Sequence, residues 1–348
     1  MILPQNAVTA LLVLIVSLVC LGSWANTYKL AGKWRYELYY FDWAIGGLVV
    51  VLILALTFGS LGYDGFSFRD DISIAAKKAW LYSLIAGAIF NLGNLLLVAT
   101  MSIGGMAVAF PICLGVALIE STIIRYAIRQ PMPLTFVIMG GAMLIGAAVA
   151  AALIHRSFIL MKHEEVARAG KAKSTRRPFT GKAAILAVVS GLILGSFEPL
   201  LDRARAGETG LGPYSIAFLF VVGTTLSTLL FDLFLMNLPV EGEPLEILDF
   251  FHSEPREHLL GLLGGAIWGA GLVAALVAAA LPEQAHPNPG TANALSQSAV
   301  LLAAFWGMFV WKEFRAGDGK VKLFGRLMLL LLAGGIAVLS VGPAYVIK

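Results

Sequence analysis

Ten times in its 348 residues this chain runs apolar for about twenty residues, the length of α-helix that crosses a bilayer. The runs fall at roughly 7–25, 41–61, 79–101, 104–126, 133–154, 183–201, 212–236, 259–281, 291–311 and 323–345. Backbone inside hydrocarbon must satisfy its own hydrogen bonds, so each run reads as a helix. The chain is 59% hydrophobic and 13% charged, with a mean hydropathy of +0.84; soluble domains carry about 25% charged residues. Little sequence separates the runs. The expectation is an all-α membrane protein of ten transmembrane helices, embedded in the lipid bilayer, with no separate soluble module. No basic residue precedes the first run and no small-residue cleavage site follows it, so it reads as a retained helix. Cys20 and Cys113 lie inside apolar runs without ligand spacing, which predicts buried thiols rather than a disulfide.

Orientation follows from where the basic residues fall. With the N-terminus on one face, that face holds Arg69, Lys77, Lys78, Arg125, Arg129, Arg203, Arg205 and Lys348. The opposite face holds the other seventeen of the 25 basic residues, eight of them from Arg156 to Lys182 and five from Lys312 to Arg326. The positive-inside rule makes the second face cytoplasmic and places both termini outside a cell membrane. The stretch "KHEEVARAGKAKSTRRPFTGK", residues 162–182, then reads as a solvated topology anchor, with anionic lipid or a partner as the alternative.

The chain also echoes itself. "CLGSWANTYKL", residues 20–30, and "ILGSFEPLLDR", residues 193–203, both place Leu-Gly-Ser-aromatic at the end of an apolar run. "GAIFNLGNLLLVA", residues 87–99, aligns with "GAIWGAGLVAALV", residues 265–277, and "AVAFPICLGVALIE" aligns more loosely with "ANALSQSAVLLAAF". The longer connection "LPEQAHPNPGT" accounts for the larger offset of the second pair. These matches divide the chain into a first five-helix repeat, 1–155, a basic cytoplasmic connection, 156–182, and a second five-helix repeat, 183–348. Five crossings is an odd number, so the second copy enters the membrane inverted, as in many secondary transporters. The two Leu-Gly-Ser-aromatic corners would then face opposite sides, which makes Trp24, Asn26 and Phe197 candidate gating residues. The competing reading gives Gly-Ser to close packing and Trp24 to an interfacial aromatic belt. Glycine pairs at Gly46-Gly47, Gly104-Gly105, Gly140-Gly141, Gly264-Gly265 and Gly334-Gly335 predict close helix crossings.

A charge at membrane depth costs about 3 kcal/mol on insertion scales and therefore usually pairs or lines a cavity. Glu120 lies deep in the fourth run, and Arg125, five positions on, is off its helical face. Glu120 is the first candidate for proton coupling. Glu198, just before Pro199 and near Asp202 and Arg203, is the second, with an interfacial ion network as its alternative. Asn91 and Asn94 share a face of the third run and are candidate substrate-binding amides, unless they are spent on interhelical bonds. Gln297, Trp268 and Trp306 complete the candidate set, the tryptophans as walls that suit sugar rings and flat heterocycles alike.

No G-x-x-x-x-G-K-[ST] phosphate loop, H-E-x-x-H motif or Cys/His cluster occurs, so ATP-driven pumping and metalloenzyme chemistry find no residues. No helix carries a row of arginines. The chain is not expected to be an enzyme, to hold a metal or cofactor, or to bind nucleic acid.

"LGSWANTYKL", "WRYELYYFDW", "GNLLLVA", "GLGPYSIAFLFVVGT", "FLMNLPVEGEP" and "GAIWGAG…WKEF", in this order, resemble the drug/metabolite transporter superfamily. Within it the chain is most similar to the group of glucose/ribose porters, rhamnose–proton symporters and plant ureide permeases. The resemblance covers nearly all ten helices. It implies two inverted five-helix halves and facilitated or proton-coupled movement of a small polar metabolite. The central connection, about 28 residues, is shorter than in plant ureide permeases and carries no nucleotide-binding signature. No substrate motif carries over residue by residue.

The reading that follows is a secondary transporter of a small uncharged metabolite, sugar first, ureide or nucleobase second, working by alternating access as a monomer or homodimer. A drug or metabolite exporter is the alternative within transport. A non-transporting scaffold, docking through 162–182 and "EGEPLEILDFFHSEPREH", is the alternative outside it.

Overall fold

A computed structural model describes residues 1–129, 132–168, 180–281 and 288–345. In chain order the helices are α1 (Ala7–Ser23), α2 (Asn26–Ala31), α3 (Tyr36–Leu56), α4 (Phe68–Ile74), α5 (Lys77–Gly104), α6 (Met106–Arg129) and α7 (Leu134–Arg168). There follow α8 (Lys182–Gly195), α9 (Glu198–Arg205), α10 (Pro213–Asn237), α11 (Ile247–Phe251), α12 (Pro255–Ala278), α13 (Pro289–Gln297), α14 (Ala299–Phe305) and α15 (Gly319–Val341). A π-helical turn, Trp306–Val310, continues α14, and a 3-10 turn, Gly342–Tyr345, closes α15. Among the described residues there is no strand, and ten helical stretches are long and apolar enough to cross a membrane. The protein is an all-α, multi-pass membrane protein. Its helices turn apolar side chains outward, as a lipid-facing surface requires. In α1, Val8, Leu12, Val16 and Val19 are exposed while Ala10, Leu14 and Ser17 are buried.

Two differences from the expected spans involve charged residues. The second span begins at Tyr36 rather than near 41, because Glu37 enters the helix with its charge matched by Arg35. The fifth span runs to Arg168, so the first part of the connection 156–182 is helix. Residues 169–179, the centre of the basic stretch, lie outside the described residues, as do 282–287 of the "LPEQAHPNPGT" connection and Lys348.

Three spans are discontinuous. α1 stops at Ser23 and α2 starts at Asn26, so Trp24 and Ala25 sit in the break. α8 stops at Gly195 and α9 starts at Glu198, so Ser196 and Phe197 sit in the break. Both Leu-Gly-Ser-aromatic stretches thus mark an interruption. At the first one, side chains bond the backbone carbonyls of the break: the Asn26 amide donates to Ser23 O at 2.9 Å and the Thr27 hydroxyl to Trp24 O at 2.8 Å. The ninth span breaks at Ser298, between α13 and α14.

The chain folds into two compact units, each built from both halves of the sequence. The first contains Met1–Leu95 and Ser196–Ala299. Here α3 packs on α12 and α10, while α12 also carries α1 and α2. Two contacts in this unit repeat each other. A Cβ on Gly265 would collide with the Trp43 carbonyl, and a Cβ on Gly87 would collide with the Phe220 carbonyl. Gly87 and Gly265 open the aligned "GAIF" and "GAIW" stretches, so the sequence echo corresponds to two equivalent helix crossings, α12 on α3 and α5 on α10. Only glycine permits backbones this close.

The second unit contains Leu96–Gly195 and Val300–Lys348. In it α7 packs on α15 through Gly140 and Gly335, and α6 packs on α8 and α7. α5 meets α6 at Gly105, whose φ of +81° is in the left-handed region. Glu313, from the "WKEF" stretch, accepts hydrogen bonds there from the backbone N–H groups of Met106 and Ala107, both at 2.9 Å. A carboxylate on these otherwise orphaned donors both caps the helix and complements its dipole.

Candidate functional site

The interior of the first unit is lined by a continuous ladder of rings. Trp24, in the first helix break, meets Trp43 of α3 with centroids 5.5 Å apart. Trp43 meets Trp268 of α12 at 4.4 Å, and Trp268 stacks on Phe90 of α5 at 5.2 Å with planes 17° apart. Phe90 meets Phe220 of α10 at 5.2 Å, and Phe220 meets Phe197, in the second helix break, at 5.5 Å. The order is palindromic in the sequence echo. Trp24 corresponds to Phe197, the two carbonyl partners Trp43 and Phe220 correspond to each other, and Trp268 corresponds to Phe90. The two Leu-Gly-Ser-aromatic corners are therefore the two ends of one ladder, with the Phe90–Trp268 stack at its centre.

Polar groups flank the rings. Tyr40 stacks on Trp43 at 4.7 Å and accepts a hydrogen bond from the Asn94 amide at 2.9 Å. Asn91 is fully buried, donating to Ser227 Oγ at 2.9 Å and accepting from the Thr228 hydroxyl at 3.2 Å. Its amide ties α5 to α10. One turn beyond the rings, Thr27 and Tyr39 share a 2.7 Å hydrogen bond, over which Gly264 passes.

Three acidic residues of this unit escaped the sequence reading. Glu37 is wholly buried in a bidentate pair with Arg35, at 2.6 and 3.1 Å. That hydrogen-bonded carboxylate holds the Arg35 guanidinium above its ordinary pKa. Asp42 bonds His258 Nδ1 at 2.6 Å and joins α3 to α12. Asp232, near the end of α10, is 0% exposed, and neither of its oxygens has a hydrogen-bond partner. Glu37, Tyr36 and Tyr40 are its electrostatic neighbours.

The remaining candidates take separate places. Gln297 ends α13, the helix packed on α1, and its side-chain carbonyl is buried without a partner. Glu198 opens α9, a short helix that also carries Asp202, Arg203 and Arg205, with Arg205 and Asp202 at 3.9 Å. In the second unit, Trp306 opens the π-helical turn. Glu120 rests against Gly195, the last residue of α8, with Oε2 buried and unpartnered. The structure thus gathers Trp24, Phe197, Trp268, Asn91 and Asn94 around one ladder.

The missed carboxylates had weak sequence signals. Glu37 precedes the apolar run as counted from composition. Asp232 stands five residues before the end of α10, where an acidic side chain reads as interfacial.

Among the described residues no three His, Cys, Asp or Glu side chains converge as a metal site. Curated relatives are transporters, not enzymes. The chain is 21% identical to Ureide permease 2 of Arabidopsis thaliana, over 99% of this chain and 100% of the relative. It is 22% identical to Ureide permease 1 of the same plant, over 97% of each. It is 25% identical to the L-rhamnose-proton symporter of Shigella dysenteriae serotype 1 (strain Sd197), over 69% of this chain and 71% of the relative. The protein is a secondary transporter of small metabolites. The family model of the L-rhamnose-proton symport protein matches residues 5–240, most of the ring ladder included, and the chain belongs to that family, RhaT.

Proposed function

We propose that the protein moves a small uncharged polar metabolite across the cell membrane by proton-coupled alternating access. A sugar is the first substrate class and a ureide or nucleobase the second. The observation that carries this reading is the ladder of rings with the Asn94–Tyr40 pair at its side. Stacked rings offer flat apolar faces to a sugar or heterocycle, and amides and phenols supply the few polar contacts that orient it. The curated relatives carry L-rhamnose-proton symport or ureide permeation in their names, which agrees with both classes.

In this reading Asn94 and Trp268 contact the solute, and Asn91 braces the helices behind them. Trp24 with Asn26 and Phe197 act as the two gates, each at a helix interruption where a small rotation changes access. Glu120 is a coupling carboxylate, because its orphaned oxygen at membrane depth is a place for a proton. Glu198 joins the ion group of α9. One proton moving down a 100 mV potential contributes about 2.3 kcal/mol to accumulation. In this reading the termini lie outside and the connection 156–182 in the cytoplasm, which the basic excess on that face supports.

Tracer uptake into proteoliposomes, with hexoses, pentoses, allantoin and uracil in turn, tests the reading. Uptake of one class, with the other classes failing to compete, supports it. Absence of uptake and of exchange across the whole panel overturns it.

A further inference from the structure

Asp232 lies five residues inside the end of α10, about 8 Å along the helix. It is completely buried, and neither carboxylate oxygen meets a donor. An ionised carboxylate cannot persist there without a counter-charge or hydrogen bonds. The titratable groups that interact with it electrostatically, Glu37, Tyr36 and Tyr40, all come from α3. Arg35 does not offset Asp232, because its guanidinium is committed to Glu37 through two hydrogen bonds. Among the described residues, α4, α5, α9 and α12 bring no titratable group to Asp232, although they too pack on α10. One carboxylate with phenols beside it offers too few oxygens for a metal cation, which takes six or more. A proton needs only one.

We propose that Asp232 is a proton-binding site of the transport cycle, protonated in the state described and released when α3 and α10 rearrange. This rests on the transport reading above and adds to it a carboxylate in the same unit as the rings. The link to the solute runs through Tyr40, an electrostatic neighbour of Asp232. Tyr40 accepts from Asn94, so its own hydroxyl proton is left to donate, and its ring stacks on Trp43. When Asp232 loses its proton, the new charge draws the Tyr40 hydroxyl toward it. The Asn94 amide and the Trp43 face then shift together, which ties the proton to the site's affinity. Only a proton changes place in this step, from Asp232 to water on the face to which the site opens.

The test uses purified protein in proteoliposomes, with labelled L-rhamnose and labelled allantoin as probes. The readout is the ratio of uptake under an inside-alkaline gradient to exchange without a gradient. Wild type gives a ratio well above one, and Asp232→Asn brings it to one. Infrared difference spectra supply a readout independent of any solute. The carbonyl band of a buried protonated carboxylic acid, present in wild type at neutral pH, disappears in Asp232→Asn. Asp232→Glu keeps a titratable oxygen, so it moves the band and retains a ratio above one, and it serves if the amide variant does not fold. An unchanged ratio in Asp232→Asn, or a band unmoved in both variants, overturns the proposal. If wild type takes up neither probe, rhamnose and allantoin fall as substrates, while the infrared band still decides for or against Asp232.

Discussion

Phe90 lies almost flat on Trp268, with ring centroids 5.2 Å apart and planes inclined by 17°. These residues hold the same position in the two "GAI" stretches, 178 residues apart. Each also faces the next ring outward in its own direction: Trp268 faces Trp43 and Phe90 faces Phe220. Rings that match in the sequence echo thus meet at the centre of the ladder. The stack is therefore the natural place to probe for substrate.

Trp268→Ala should raise the solute concentration for half-maximal uptake at least about fivefold, since an aromatic contact is worth about 1 kcal/mol beyond its buried area. Trp268→Phe should recover most of the loss. Saturation curves of tracer uptake measure both variants.

The two neighbouring asparagines should part company. Asn91→Ala leaves Ser227 and Thr228 without their buried partner and should lower stability by about 1–3 kcal/mol. Thermal unfolding in detergent reads that loss, while solute preference stays as in wild type. Asn94→Ala, which unpairs Tyr40, should change solute affinity instead.

Gly265→Val and Gly87→Val should be equally harmful, because each drives a side chain into a carbonyl of the facing helix. Overpacking of this kind costs about 1–3 kcal/mol or more. Expression and thermal stability measured side by side give the comparison; a marked inequality would argue that the two crossings are not equivalent.

Glu313→Ala should lower stability by about 1–2 kcal/mol by uncapping α6, an amount a thermal shift resolves. Glu313→Gln keeps an acceptor oxygen and should lose less. Solute affinity should be unaltered in both.

A cysteine at Lys162, exposed on α7, tests the orientation. With the connection cytoplasmic, a membrane-impermeant maleimide labels it only after whole cells are permeabilised. Cys20 and Cys113 are partly and fully buried and give little background.

The ten spans were legible because transfer into lipid demands long apolar runs, and such runs survive any detail of packing. The echo of "LGSW" and "LGSF" was legible as a pair of corners. That the corners interrupt helices was not, since a glycine and a serine inside an apolar run are also compatible with an unbroken helix. Glu120 stood out because apolar residues fill nearly every position before it in its run. Glu37 and Asp232 did not, because depth near a helix end depends on where the helix starts and on what covers it. Both belong to tertiary structure: the Arg35 pair draws Glu37 inward, and the packing of α3 on α10 closes over Asp232. Asn91 and Asn94 looked alike in sequence, three residues apart, and only the partners on α10 and α3 separate a brace from a contact.

Transport by this mechanism requires a neutral solute and a proton to cross together. Solute-evoked current in proteoliposomes of the purified protein, at two pH values, measures this most directly. The expected result is an inward current evoked by one solute class, weakened at high pH and lost in Glu120→Gln or Asp232→Asn. Uptake of the same solute without current and without pH dependence would contradict it.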